Sequence, residues 1–291
     1  MGLIENFALY WEMFATSFLA SLLVGVVLPQ IGGMMYLRRE SFVGIAVPQF
    51  AAAGVALGLY LLPQFSGLQE SFLEHGHPPL DYLLVFAAGA ACLSMWLFSW
   101  VLRRQSGEPG AFLAGAFATA AALAIVFLDA APAGNNLAET VLRGAVLLLD
   151  HHGLWLLGGV CMAAFLFVLL ARRTLLATAF DRDNAIAMRL PVATLELLQM
   201  MLFGLVIGAG VMTVGPILVF GLLFLPPLAA AALTKSLRAF QFLLSICGAL
   251  AVFIAWPLSI DADLPYGPSA VITAAALTLL ALTLKRLLRR D

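Results

Sequence analysis

Residues 193–233 read ATLELLQMMLFGLVIGAGVMTVGPILVFGLLFLPPLAAAAL. The run is almost continuously apolar and shows no polar stripe of helical period. A helix on the surface of a soluble protein shows such a stripe; one surrounded by hydrocarbon does not. A helix needs about 20 apolar residues to cross ~30 Å of hydrocarbon. The run therefore reads as two consecutive spans, 193–212 and 215–233, with Pro216, Pro226 and Pro227 predicting bends or a break in the second.

The same reading extends outward over the chain. Apolar segments lie at about 11–36, 43–62, 81–102, 111–131 and 153–171 before the quoted run, and at 238–258 and 269–285 after it. Nine helical spans use roughly 180 residues. That agrees with a 291-residue chain that is 63% apolar. Only 11% of residues are charged, where soluble domains carry about 25%. Mean hydropathy is +1.03. This composition excludes a soluble enzyme, a disordered scaffold and a nucleic-acid binder. Spans of a β-barrel would alternate apolar and polar residues, whereas these runs are continuous. A weaker segment, 136–150, contains Glu139 and Arg143, four apart and able to pair on one helix face; it reads as an interfacial or re-entrant helix.

Placement of charge tests the nine-span partition. With the C-terminus in the cytoplasm, the cytoplasmic segments hold Arg38, Arg39, Arg103, Arg104, Arg172, Arg173, Arg182, Arg189, Lys235, Arg238, Lys285, Arg286, Arg289 and Arg290. Arg143 alone of the 15 basic residues falls on the other side. Cytoplasmic loops of membrane proteins carry this excess of Lys and Arg. An odd number of spans places the N-terminus outside, and its first residues contain no Lys or Arg. They also lack the basic region of a signal peptide, so the first apolar run reads as a permanent span. The histidines His75, His77, His151 and His152 fall outside, with Glu70, Glu74, Asp261 and Asp263.

The three cysteines, Cys92, Cys161 and Cys247, sit inside apolar runs. Their odd number and burial argue against disulfides and a thiolate-ligated zinc site. No G-x-x-x-x-G-K-[ST] phosphate loop occurs, and no extramembrane stretch is long enough for a soluble domain. The chain reads as one transmembrane domain, 1–291, that takes its energy from another polypeptide.

The cytoplasmic segment 172–191, RRTLLATAFDRDNAIAMRLP, is the most informative connection. Asp181 is placed to cap a helix, accepting from the free N–H groups of the next turn. Asp183 adds negative charge near the positive end of its dipole. Ala185, Ala187 and Met188 supply a compact body, and Pro191 is expected to end it. So short a helix is not stable alone. It reads either as an ordinary interfacial loop helix or as a lever seated in a cytoplasmic motor.

Four stretches in register resemble the ABC-3 family of metal-type ABC permeases. Residues 180–192, FDRDNAIAMRLPV, are similar to that family's coupling-helix run F-D-P-E-x-A-x-A-x-G. Residues 211–231 resemble V-G-x-L-L-x-x-x-L-L-x-x-P-A-A-x-A, residues 264–269 resemble x-P-x-G-P-x, and residues 38–44 resemble R-R-x-S-x-x-G-D. The resemblance runs from about residue 18 to 284. It implies an all-α, BtuC-like fold of the type II ABC importers, working as a homodimer in a bacterial-type inner membrane. It further implies two cytoplasmic ATPase subunits that bind ATP and Mg²⁺, an extracytoplasmic solute-binding protein, and no cofactor on this chain. Asp181, Arg182, Asp183, Asn184, Ala185 and Ala187 match the coupling helix.

The family's G-D-x-x-x-H places an Asp and a His in the translocation path. The matching residues here are Ile45 and Gln49. Zn²⁺ and Mn²⁺ take imidazole, carboxylate or thiolate ligands, and neither residue supplies one. A chelated metal or another small solute is therefore expected beside bare metal ions. A glutamine in a span needs a hydrogen bond, so Gln49 reads as an interhelical tie or as a residue facing the path. Pro48 beside it frees a backbone carbonyl.

His75 with His77, and His151 with His152, each lie beside a carboxylate; they read as solvated loops or, if the loops meet, as a metal-scavenging patch. Gly54 with Gly58 and Gly204 with Gly208 allow close helix approach, within the chain or at the homodimer seam. Two other function classes stay open. A stand-alone carrier or channel would need ionisable groups within the spans. An intramembrane enzyme would need a nucleophile–base pair or metal dyad at depth.

Overall fold

The computed structural model describes residues 3–38, 40–64, 80–104, 109–131 and 151–288. Eleven α-helices occupy them: α1 (Leu3–Leu37), α2 (Ser41–Leu61), α3 (Leu80–Arg104), α4 (Pro109–Ala130), α5 (His151–Leu170), α6 (Arg172–Phe180), α7 (Arg182–Ala187), α8 (Val192–Val214), α9 (Pro216–Leu233), α10 (Leu237–Asp261) and α11 (Tyr266–Leu288). All but α6 and α7 are long and apolar enough to cross a membrane, giving 9 spans among the described residues. Each expected segment coincides with one of them to within a few residues. The expected helix at 136–150, with Glu139 and Arg143, lies outside the described residues.

The chain divides into two compact units. Unit 1 is Met1–Ser41, Val146–Arg182 and Ile217–Asp291; unit 2 is Phe42–Ala145 and Asp183–Pro216.

In unit 1, α1 packs on α10. Pro29 has no N–H, so the carbonyl of Gly25 loses its helical partner. Gly248 leaves room for that carbonyl: a side chain there would overlap Gly25 O and come within 2.5 Å of Pro29 Cγ. Polar ties reinforce the seam. Gln30 Nε2 donates to Gln241 O at 2.6 Å and to Ser245 Oγ at 2.9 Å. Ser245 Oγ donates to Val26 O, and Trp256 Nε1 donates to Ser21 Oγ at 2.8 Å. With no water in hydrocarbon, such groups must be satisfied inside the protein.

The prolines of α9 do not break it. Pro226 and Pro227 lie inside one continuous helix, and the chain breaks earlier, at Gly215 with φ 85°. Pro227 removes the hydrogen bond to Leu223 O, and Gly32 of α1 gives that carbonyl a place against bare backbone. The loop expected at 264–269 is also shorter than its prolines suggest, because α11 starts at Tyr266. Pro268 falls in the first turn, where an N–H has no partner to lose. Ser269 closes that turn through its N–H and Oγ, both donated to Pro265 O.

In unit 2, α3 lies against both α2 and α8. Gly54 meets the backbone of Phe86, and Tyr82 donates its hydroxyl to Gly58 O at 3.0 Å. Gly204 faces Cys92 and Gly208 faces Ala88. Both glycine pairs therefore serve packing within the chain. Phe98, 1% exposed, joins α3 to its neighbours through edge contacts with Phe50 and Phe112.

Candidate functional site

The segment 172–191 forms two short helices rather than one. α6 buries Leu175 and Thr178, three residues apart on one face, and touches α1 and α5. Asp181 then breaks the run. Its backbone is extended (φ −150°, ψ 95°), and its N–H closes α6 on Ala177 O. Extended backbone at the residue before a helix is the conformation of an N-cap, the position read for Asp181. In α7, Ala185 is buried while Arg182, Asp183, Asn184, Ile186 and Ala187 are exposed.

The end of α7 differs from the expectation. Pro191 does not terminate it but precedes α8. Termination comes from Arg189, whose φ is 57°. Arg189 N–H donates to Ile186 O at 2.9 Å, and Leu190 N–H donates to Ala185 O at 3.2 Å. This pair of bonds is a Schellman closure, which ordinarily places glycine at the left-handed residue. The motif that the stretch resembles carries glycine at that position. Left-handed backbone costs a residue with a Cβ about 1 kcal/mol. Arg189→Gly is therefore expected to slow hydrogen exchange of the closing amides roughly fivefold, equal to about 1 kcal/mol. Unchanged exchange at residues 189 and 190 would refute a strained cap.

On α2, Ile45 and Gln49 are one turn apart on the same face, and both are partly buried. Gln49 makes no side-chain hydrogen bond among the described residues, which removes the interhelical tie as its observed use there. Pro48 lies inside the helix, so Gly44 O has no helical N–H donor. The face thus offers a neutral amide and an isoleucine.

His151 and His152 are exposed at the start of α5, whereas His75 and His77 lie outside the described residues. Among the described residues no three His, Cys, Asp or Glu side chains cluster as a metal site. Two buried polar residues escaped the sequence reading: Glu196 and Gln199, each 3% exposed on α8. Their signal was a three-residue polar spacing inside an apolar span.

Comparison with known proteins decides the family. A model described as the ABC 3 transport family matches residues 10–285. The chain belongs to the ABC 3 transport family. It is 25% identical over 279 residues to an uncharacterized membrane protein of Synechocystis, covering 96% of this chain and 93% of the relative. It is 26% identical over 262 residues to the manganese transport system membrane protein MntC of Halalkalibacterium halodurans, covering 90% and 84%. The structure of PsaBC from Streptococcus pneumoniae in complex with Fab matches with TM-score 0.77 at 24% identity, covering 96% of this chain and 95% of that one. This ABC-3 chain is an all-helical, multi-pass permease subunit of the BtuC-like fold.

Proposed function

We propose that this permease imports a manganese-class divalent metal, hydrated or chelated, driven by ATP hydrolysis on partner subunits. Two copies would form the pathway in a bacterial-type inner membrane, with N-termini outside and C-termini in the cytoplasm. Two ATPase subunits would carry ATP and Mg²⁺, a solute-binding protein would deliver cargo from outside, and this chain would hold no cofactor or catalytic site.

The observation that carries the reading is the placement of α7. Arg182 and Arg189 lie in or beside it, as basic residues do in cytoplasmic segments, and five of its six residues are exposed. The chain passes from unit 1 to unit 2 between Arg182 and Asp183. A push on this helix therefore reaches both units through the backbone. Exposed Phe180, Ile186 and Met188 give a motor subunit apolar surface to cover.

The cargo class follows from the path. Relatives named for manganese transport set the prior. Oxygen donors suit Mn²⁺ better than Zn²⁺, which favours imidazole and thiolate. Gln49 carries such a donor, and its neutrality suits an ion that keeps its own water or chelator. A stand-alone ion-coupled carrier is less well supported, because Glu196 sits only in the second turn of α8 rather than at mid-depth.

The test is reconstitution with ATPase and binding protein in liposomes. The D181A/D183A variant removes the cap and the first-turn charge, together about 1 kcal/mol or more of helix stability. Metal-stimulated ATP hydrolysis is expected to fall roughly fivefold with assembly retained. Normal coupled turnover would sink the lever assignment.

A further inference from the structure

The basic end of unit 1 contains a cavity of about 380 Å³ bordered by α1, α5 and α10. That lies within the ~300–1,000 Å³ range of small-molecule pockets. Its wall is of two kinds. Arg172 and Arg238 stand on it, and neither makes an ion pair among the described residues. Gln30 also lines it, but both its N–H groups are spent on Gln241 O and Ser245 Oγ. That holds the wall rigid and leaves the positive charge to the two arginines.

Gln241 and Ser245 line it beside Gln30, and the remaining part of the wall is apolar, with Phe165, Leu169 and Phe242. Leu169 is 56% exposed and Phe242 71% exposed, and both lie in membrane spans. The cavity therefore opens where hydrocarbon meets the basic end of the helices. α6 and α10 also begin here, and neither has a side-chain cap on its N-terminal N–H groups. Those groups add to the positive potential that the arginines create.

Paired guanidinium groups bind phosphate through charge-assisted hydrogen bonds. A free anion would use the arginines and leave the aromatic wall idle. A neutral lipid would use the wall and leave the arginines unpaired. An anionic phospholipid uses both, and basic pockets between spans are where such headgroups bind. We propose that this cavity holds an anionic phospholipid, its phosphate on Arg172 and Arg238 and an acyl chain along Phe165, Leu169 and Phe242. Arg172 is also the first residue of α6, so the lipid anchors the root of the segment that leads into α7. The site needs a membrane but no particular cargo or direction of transport.

The experiment titrates the full-length chain, purified in detergent, with dioleoyl phosphatidylglycerol and separately with dioleoyl phosphatidylcholine, reading bound lipid by native mass spectrometry. The anionic lipid is expected to bind roughly tenfold more tightly than the zwitterionic one. R172Q/R238Q should remove that preference and leave phosphatidylcholine binding unchanged. K285Q/R286Q, which removes charge from the end of α11, should keep it. R172K/R238K retains charge and should keep most of the preference, which separates lost binding from lost folding. Equal affinity for the two lipids would overturn the proposal, as would an undiminished preference in R172Q/R238Q or an equal loss in K285Q/R286Q. Displacement of the lipid by millimolar inorganic phosphate would reassign the cavity to a free anion.

Discussion

The I45D/Q49H variant is expected to bind free Zn²⁺ at least roughly tenfold more tightly than the natural chain. Residues 45 and 49 share one face of α2, a helical turn apart. A carboxylate and an imidazole at that spacing can reach one ion together, and both are strong zinc ligands. The natural pair offers an isoleucine and a neutral amide. The natural path should therefore hold a bare ion weakly and let a hydrated or chelated one pass. Equilibrium dialysis of the purified permease against Zn²⁺ and Mn²⁺ reads the change directly. Each single substitution should give a smaller gain, since neither ligand alone chelates. An unchanged zinc affinity in the double variant would mean that positions 45 and 49 do not meet at an accessible surface. The path would then have to be sought elsewhere.

A glutamine substitution tests the other side of the same argument. If Gln49 serves as a structural tie, removing it should destabilise unit 2. It has no hydrogen-bond partner among the described residues, so Q49A should leave stability unchanged while altering cargo flux.

What the sequence disclosed and what it hid divide along a physical line. The spans were legible because each is a continuous apolar run, and hydrocarbon thickness fixes its length. The two helices around Asp181 were half legible. The aspartate advertised a helix start, but nothing in composition announces an arginine in left-handed backbone. The one clue was that Arg189 stands where the similar motif has glycine. The continuity of α9 was hidden for a different reason. Pro226 and Pro227 signal a break locally, and what relieves Pro227 is Gly32, distant in sequence. Glu196 and Gln199 were overlooked because hydropathy averages over a window, and two polar residues do not lower the mean of a strongly apolar span. Ile45 and Gln49 were assigned to a path by resemblance alone. An isoleucine and a glutamine have no intrinsic signature of transport.

A large stability effect is expected at Gly208. A Cβ there would lie 2.5 Å from Ala88 Cα and 2.7 Å from Ala88 N. The obstacle is backbone, so no rotamer change can relieve it. Overpacking that side chains can absorb costs about 1–3 kcal/mol, and this contact belongs at or above the top of that range. Gly208→Leu should therefore lower the thermal midpoint of the purified chain sharply or abolish recovery of monodisperse protein. Gly89, on α3 itself, is the internal control: a Cβ added there meets nothing within 4 Å. Gly89→Ala should be neutral or slightly stabilising, because alanine favours helix over glycine by up to about 1 kcal/mol. Both measurements come from size-exclusion profiles after a heating series. Equal tolerance of the two substitutions would show that α3 and α8 are not in backbone contact. A loss at Gly89 as severe as at Gly208 would instead show that its open face is covered in the assembled transporter. The pair thus separates packing inside the chain, which the glycine spacing left undecided, from packing between chains.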